Sequence, residues 1–252
     1  MSLACKGSVI PRSPLRGRDA LLVLPGFGYS RSTEKALRSG SAAWAAEGID
    51  LYIPNYVRRA GLAKSRAELI EFYRDHRLDQ YERLHIFAFI AGAWTLNPYL
   101  EKETLPNLTT IVYDRSPLQE RAPRIAADKL AALTWLAYGK PVFEVARTPY
   151  TAVNPTGVRI GLMVETKPTR LVKRYAKTAR SYGPLHFECD SFGQRHEDCV
   201  YLPMNHDELY VRFNELQPEL LAFIRTGRFT TTANRSPPAV DPLAPVAPVA
   251  PH

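Results

Sequence analysis

The stretch LHIFAFIAGAW, residues 84–94, decides how this chain folds. Its first part is an apolar run, which is followed by small residues and then by a helical pattern. A short apolar run bounded by turn signals is typical of a strand buried on both faces of a parallel sheet. The small residues Ala88, Ala91 and Gly92 indicate that the strand turns directly into a closely packed helix.

Five further apolar runs predict strands that alternate with helices along the chain. This order is typical of an α/β fold built around a largely parallel sheet. Helical spacing predicts helices over 32–47 and 65–76, and Asn97-Pro98 predicts that the helix after residue 89 starts late or is kinked. The predicted strands are 20–24, 49–53, 84–89, 108–113, 158–164 and 199–202.

Composition fits one large domain. The chain has 252 residues, of which 45% are hydrophobic, and a formal net charge of +8. The charge favours anionic partners, such as a membrane surface or an acidic ligand, and no RNA-binding or helix-turn-helix pattern points to a specific nucleic acid. None of its apolar runs approaches the roughly 18 residues of a membrane-spanning helix.

Three cysteines are too few for the disulfide framework of a small secreted protein, so we expect a reducing compartment and a cytoplasmic location. An organelle-targeted protein is the alternative, because residues 1–18 contain four basic residues and no acidic residue before Asp19.

Changes in composition divide the chain into four parts. Residues 1–17 form an N-terminal segment for which we expect little order. Residues 18–230 form the domain. Within it, residues 119–156 interrupt the alternation with a helical stretch near 126–138 and then irregular sequence, as an inserted lid over a pocket would. Residues 231–252 are rich in Pro and Ala, which predicts a disordered tail.

A glycine-rich turn follows the first predicted strand. Glycines in such a turn let backbone N–H groups approach a ligand closely. Plain turn chemistry is the alternative, with serines that cap the next helix. The candidate ligand-binding residues are Gly26, Phe27, Gly28, Tyr29 and Ser30, together with Ala91 after the third strand.

The segment around Ile90 resembles the nucleophile elbow of lipase- and esterase-like α/β-hydrolases, in which G-x-S-x-G places a serine between a strand and a helix. Here Ala88-x-Ile90-x-Gly92 keeps the small flanking residues and lacks the serine. The resemblance implies a doubly wound sheet of that type with a small helical lid. Isoleucine has no group that a base could activate, so no acyl-enzyme can form at this position.

The resemblance extends over residues 18–226 and implies the remaining site residues. The segment 200–209 is similar to the last strand and the loop that presents the family's catalytic histidine, which makes His206 the matching base. Pro168 stands where the family's aspartate is expected. Glu165, which lies nearby, and Asp114, at the end of an earlier strand, are the two candidates for an orienting acid.

Two other sequence patterns allow alternative interpretations, as a metal site and as an anion-binding surface. His186-x-x-Cys189 and His196-x-x-Cys199 repeat the same spacing and suit tetrahedral zinc by residue type. On strands, however, residues three apart face opposite sides, so each pair would need a turn to converge. The second pattern is a basic stripe on a predicted helix, which consists of Arg170, Lys173, Arg174 and Lys177. Such a stripe is either a solvated face or a contact for an anionic ligand or lipid headgroup.

Two functions remain open at the level of sequence. The first is noncatalytic binding of a hydrophobic or acyl ligand with a negative end, or of a protein partner. The second is an enzyme in which His206 acts as acid or base without a nucleophile on the protein. A carboxylate within hydrogen-bond reach of His206 favours the enzyme, and an isolated His206 favours binding. We expect no cofactor in either case.

Overall fold

The computed structural model describes residues 8–10, 19–27 and 29–244, with the backbone alone described at 8–10. Its strands are, in chain order, β1 (Ser8–Ile10), β2 (Asp19–Leu24), β3 (Ile49–Ile53), β4 (Arg83–Ala88), β5 (Leu108–Arg115), β6 (Arg159–Glu165) and β7 (Asp198–Leu202). They form one sheet in the order β1-β3-β2-β4-β5-β6-β7. Strands β2 to β7 are parallel, and β1 pairs antiparallel with β3 at one edge.

The six strands predicted from apolar runs are all present, within one or two residues at each end. They were recognisable because parallel strands covered on both faces are apolar throughout. The edge strand β1 was not predicted. It is three residues long and lies within residues 1–17, for which the sequence predicted little order.

The helices are α1 (Arg31–Arg38), α2 (Ser41–Ala46), α3 (Leu62–Asp75), α4 (Ile90–Leu100), α5 (Ala122–Lys129), α6 (Ala131–Tyr138), α7 (Lys140–Arg147), α8 (Arg170–Arg174), α9 (Ala176–Ser181), α10 (His206–Val211) and α11 (Gln217–Thr226). Two apolar cores lie on opposite faces of the sheet. Helices α1, α2, α10 and α11 contribute to one core, and α3, α4, α5, α7, α8 and α9 to the other. The predicted α/β class with a doubly wound, mostly parallel sheet is confirmed. In the described part of the chain, none of these helices is long and apolar enough to cross a bilayer.

Two helix predictions need correction. The helix predicted over 32–47 is two helices, α1 and α2, with the break at Ser39-Gly40. At Gly40 the backbone lies against Asn214, whose Oδ1 would be 2.1 Å from a β-carbon on residue 40. The late start predicted from Asn97-Pro98 is wrong as well, because α4 begins at Ile90 and contains Pro98 in its last turn.

The insertion between β5 and β6 is more helical than its sequence indicated. Helix α7 occupies part of the stretch predicted to be irregular, and Pro141 stands in its first turn, where the missing N–H costs no hydrogen bond. Gly139 separates α6 from α7 with φ of 72°. A β-carbon on residue 139 would lie 2.6 Å from the carbonyl oxygen of Arg59, so only glycine fits this turn.

The beginning of the C-terminal segment is ordered on the domain, unlike the disordered tail predicted from residue 231. The Tyr201 N–H on the edge strand β7 donates to the carbonyl of Asn234 at 2.8 Å. Arg235 pairs with Asp198 at 2.9 Å, and Leu243 is buried. An edge strand has unpaired backbone groups that a neighbouring segment can satisfy, and composition alone does not reveal this. The rest of the predicted tail, residues 245–252, lies outside the described residues.

Candidate functional site

The turn from β4 into α4 forms the floor of the candidate site. Phe89 precedes the helix with extended backbone, and Ile90 is the first helical residue. Gly92 packs against β2 so closely that a β-carbon there would lie 2.8 Å from both Cβ and the carbonyl oxygen of Leu24. The small residue predicted at this position is therefore a packing requirement. Ile90 is buried and lines the cavity above the turn.

His206 is fixed at the start of α10 by a capping box. The Asn205 side chain accepts hydrogen bonds from the N–H groups of Asp207 and Glu208, at 3.0 and 3.1 Å. The Glu208 carboxylate in turn accepts from the N–H of Asn205 at 3.0 Å. Such a reciprocal cap fixes the backbone of the first turn, to which His206 belongs.

Both candidate acids reach the same nitrogen of His206. Its Nδ1 is 2.9 Å from Oε1 of Glu165 and 3.1 Å from Oδ2 of Asp114. The two acids end or nearly end the adjacent strands β6 and β5, and both are fully buried. The sequence named them as alternatives, whereas the fold places both on His206. Ligand atoms of the three residues lie within 4.8 Å of one another, the spacing of a metal site. Glu165 forms a hydrogen bond with Nδ1, and Asp114 contacts the same nitrogen as an ion pair.

Burial and neighbouring charge shift the pKa values of Glu165 and His206. Burial raises the pKa of Glu165, and the adjacent Asp114 carboxylate raises it further, to about 8. Burial lowers the pKa of His206, but the Glu165 and Asp114 carboxylates outweigh burial and raise this pKa to about 10. His206 and Glu165 therefore titrate as a coupled pair, and the cluster retains protons to higher pH than the isolated side chains would.

The opposite side of the His206 ring faces the glycine-rich turn. A β-carbon on Gly26 would lie 3.6 Å from Nε2 of His206 and 2.9 Å from the Tyr210 hydroxyl. The Gly26 N–H donates to that hydroxyl at 2.5 Å. Tyr210 also stacks on Phe89, with ring centroids 4.2 Å apart. One backbone donor of the predicted ligand-binding turn is thus already paired within the protein.

A cavity of about 480 Å³ opens above Ile90 and His206. Most of its wall is apolar and comes from the turn, from α5 to α8 and from α10. Polar groups at the wall include Ser32, Thr33, Tyr210 and His206. Sequence reasoning missed much of the wall, although Tyr210 could have been found because it lies one turn after His206 on the same helix face. The apolar lining includes Phe27, Ala122, Ala126, Val142, Leu171 and Val211.

The predicted ligand-binding residues divide into two groups. Gly26, Phe27 and Ala91 line the cavity. Tyr29 packs on the core of the other sheet face, and Ser30 is the N-cap of α1, accepting from the Thr33 N–H at 3.2 Å. The helix-cap interpretation of Ser30 is therefore the correct one. Gly28 lies outside the described residues.

The basic stripe lies beside the cavity and is not one continuous helix. Arg170, Lys173 and Arg174 belong to α8, Lys177 belongs to α9, and all four are exposed. Leu171 of α8 lines the cavity. The same short helix thus presents basic residues to solvent and an apolar residue to the site.

The zinc alternative is wrong. Cys189 and Cys199 form a disulfide, with Cα atoms 6.4 Å apart, so their sulfur atoms are joined to each other. His196 contacts the carbonyl of Gln194 through Nδ1 at 2.9 Å. The expectation that the cysteines are reduced is also wrong for this pair. A disulfide is uncommon in a reducing compartment, so the cysteine count no longer supports a cytoplasmic location.

The sheet order, the helices on both faces and the histidine after the last strand define an α/β-hydrolase fold. Solved structures agree with this. A bromoperoxidase from Bacillus anthracis matches with a TM-score of 0.52 and 8% identity over 87% of this chain and 94% of its own. A putative thioesterase from Silicibacter sp. matches with a TM-score of 0.51 and 12% identity, over 86% of this chain and 79% of its own. An acylaminoacyl peptidase from Pyrococcus horikoshii matches with a TM-score of 0.53 and 12% identity, over 92% of this chain and 41% of its own.

At such low identity these likenesses establish the fold alone. Profiles of known protein families give no match to the chain, and neither does a comparison with curated protein sequences.

Proposed function

We propose that this protein binds a hydrophobic or acyl ligand with an acidic end group, and that it does so without forming a covalent intermediate. The observation that carries the proposal is Ile90, which occupies the cavity floor at the turn between β4 and α4. Its side chain offers neither a lone pair nor an acidic proton. Ser32 and Thr33, the hydroxyls of α1 at the cavity wall, both contact Ser30 Oγ within the helix cap.

The cavity wall supports the choice of ligand. Its apolar side chains suit a hydrocarbon chain, and specificity in such pockets comes from a few polar groups. His206 supplies one, because its Nδ1 side is held by Glu165 and Asp114 while its Nε2 side faces Gly26 at the cavity. A cationic Nε2–H is a charge-assisted donor, which favours a carboxylate over a neutral hydroxyl. In this proposal helices α5 to α7 act as the lid.

Calorimetric titration with fatty carboxylates of increasing chain length and with the matching alcohols tests this function. We expect the carboxylates to bind, and to bind about tenfold or more tightly than the alcohols. Ala126→Trp, which fills the cavity, abolishes binding, whereas Ala127→Trp on the same helix outside the cavity wall leaves binding unchanged. Absence of binding by every chain length, or equal effects of the two tryptophans, overturns the proposal. A protein partner would then be the remaining ligand.

A specific observation favours a second candidate function. His206 has a carboxylate within hydrogen-bond reach, which is the condition set for an enzyme that uses this histidine. With a pKa of about 10, His206 would donate rather than accept a proton at neutral pH. A panel of p-nitrophenyl esters, assayed with wild type, Ile90→Ser and His206→Ala, separates the two candidates. Turnover by wild type that is lost in His206→Ala supports the enzyme, and silence of wild type supports binding.

A further inference from the structure

Helix α6 exposes four large apolar side chains within two turns, and their spacing distributes them around the helix. Leu133, Trp135, Leu136 and Tyr138 are 64%, 56%, 74% and 41% exposed. We call these four residues the α6 patch. In the described part of the chain, only Val211 and Val240 are comparable exposed apolar residues. Isolated exposed apolar side chains are ordinary, but four on two turns of one helix mark an interaction surface.

The α6 patch is held in place by the domain. The guanidinium of Arg59 donates to the carbonyls of Trp135, Leu136 and Ala137, at 2.9, 2.6 and 3.0 Å. These bonds add acceptor partners to carbonyl groups of the last turn, where the Trp135 carbonyl also accepts from the Gly139 N–H at 3.0 Å. On the inner side of the helix, Thr134 is buried and donates its hydroxyl proton to the Ala126 carbonyl at 3.0 Å. The apolar side chains therefore point outward from an anchored helix.

Charge around the patch selects the kind of partner. Helices α5 to α7, residues 122–147, contain four basic and two acidic residues. Lys129 and Lys140 are exposed at the two ends of α6, and Lys140 pairs with Glu144 at 3.0 Å. Lysine is depleted in protein–protein interfaces, whereas basic residues beside Trp, Tyr and Leu are typical of helices that lie on anionic bilayers.

We propose that the α6 patch binds the surface of an anionic lipid bilayer and turns the mouth of the cavity toward it. Tyr138 provides the geometric link, because it belongs to the patch and also lines the cavity. Val211 of α10, which also lines the cavity, is exposed as well. This inference concerns the surface of the protein and stands independently of what the cavity binds.

Tryptophan fluorescence gives a direct readout. Trp44 and Trp94 are buried, so the emission of Trp135 is the part that responds to the surroundings. We expect vesicles of phosphatidylcholine mixed with phosphatidylserine to shift the emission of the full chain to the blue and to carry the protein into the pellet on centrifugation. Pure phosphatidylcholine and high salt should weaken both effects, since headgroup attraction is screened.

The double variant Leu133→Ser/Leu136→Ser should weaken vesicle binding about tenfold or more, because it removes buried apolar contact with the bilayer. Val240→Ser removes an equally exposed apolar side chain elsewhere and should bind as wild type does. Both variants change exposed residues, and thermal melts confirm that each is folded. Absence of vesicle binding, or equal binding by the double variant, overturns the proposal. A blue shift without vesicles that grows with protein concentration overturns it in favour of a second copy of this chain.

Discussion

Nδ1 of His206 lies 2.9 Å from Oε1 of Glu165 in a part of the protein that is closed to water on the Nδ1 side. Asp114 completes the contact from the neighbouring strand at 3.1 Å. Because the imidazolium of His206 contacts both carboxyl groups, removing it affects stability differently from removing either acid. Removing the cation leaves buried negative charge without a partner, whereas removing one carboxyl leaves the other in place.

The first prediction compares His206→Gln with Glu165→Gln. We expect His206→Gln to lower the free energy of unfolding by about 3 kcal/mol, because it leaves the buried acids uncompensated. Glu165→Gln should cost less than about 1 kcal/mol, because Asp114 remains to compensate the imidazolium. Urea unfolding followed by circular dichroism measures both. Equal losses for the two variants would contradict the charge assignment.

The second prediction concerns pH. Folding raises the pKa of His206 from 6.5 to about 10 and that of Glu165 from 4.5 to about 8. The folded state thus binds more protons than the unfolded state, so the cluster's contribution to stability falls as pH rises. The stability contributed by Glu165 falls between pH 4.5 and about pH 8, and that contributed by His206 falls between pH 6.5 and about pH 10.

Urea unfolding at about pH 6 and about pH 9 tests this dependence, with the double variant Glu165→Gln/His206→Gln as the reference. The difference in stability between wild type and the variant should shrink at the higher pH. A difference that grows with pH would mean that the cluster is not held in its protonated form.

The third prediction concerns Gly92. In an open helix position, replacing glycine with alanine stabilises a protein by about 1 kcal/mol. Here the new β-carbon would lie 2.8 Å from Leu24, so we expect Gly92→Ala to destabilise the fold by about 1 to 3 kcal/mol. The midpoint of thermal unfolding measures this effect, and we expect it to be lower in Gly92→Ala than in wild type. An increase would show that α4 can move away from β2 without loss.

The sequence predicts the parts of this molecule that follow from local pattern. The parallel strands are apolar because both faces are covered, and the resemblance of two segments to α/β-hydrolases pointed to Ile90 and His206. Two things depended on distant contacts. Whether Glu165 or Asp114 meets His206 depends on strand register, which places both acids side by side. The pairing of Cys189 with Cys199 depends on a turn that their spacing did not indicate.

The fourth prediction concerns this disulfide. It closes a loop with a sequence separation of 10, so removing it should cost about 3 kcal/mol in the chain-entropy estimate. We expect Cys189→Ser/Cys199→Ser, or wild type under reducing agent, to unfold at lower urea concentration. Under denaturing, non-reducing conditions wild type should have one titratable thiol, from Cys5. Three titratable thiols would contradict the pairing.

The fifth prediction concerns the segment after α11. Ending the chain after residue 230 removes the Asn234 carbonyl that pairs with the edge of β7, and also the Arg235 partner of Asp198. Asp198 is buried. Burial raises the pKa of its carboxyl, but the hydrogen bonds from Arg235 and from backbone N–H groups outweigh burial and lower this pKa. We expect these two contacts alone to contribute about 2 kcal/mol, and the loss of the buried Leu243 side chain to add to this cost.

A truncation after residue 244 is the matched control, because it keeps every described contact of the segment. It should unfold as the full chain does. Hydrogen exchange at the Tyr201 N–H distinguishes the cause, since this amide should lose protection in the shorter chain only. Equal stability of the two truncated chains would mean that residues 231–244 cover the sheet edge without stabilising it.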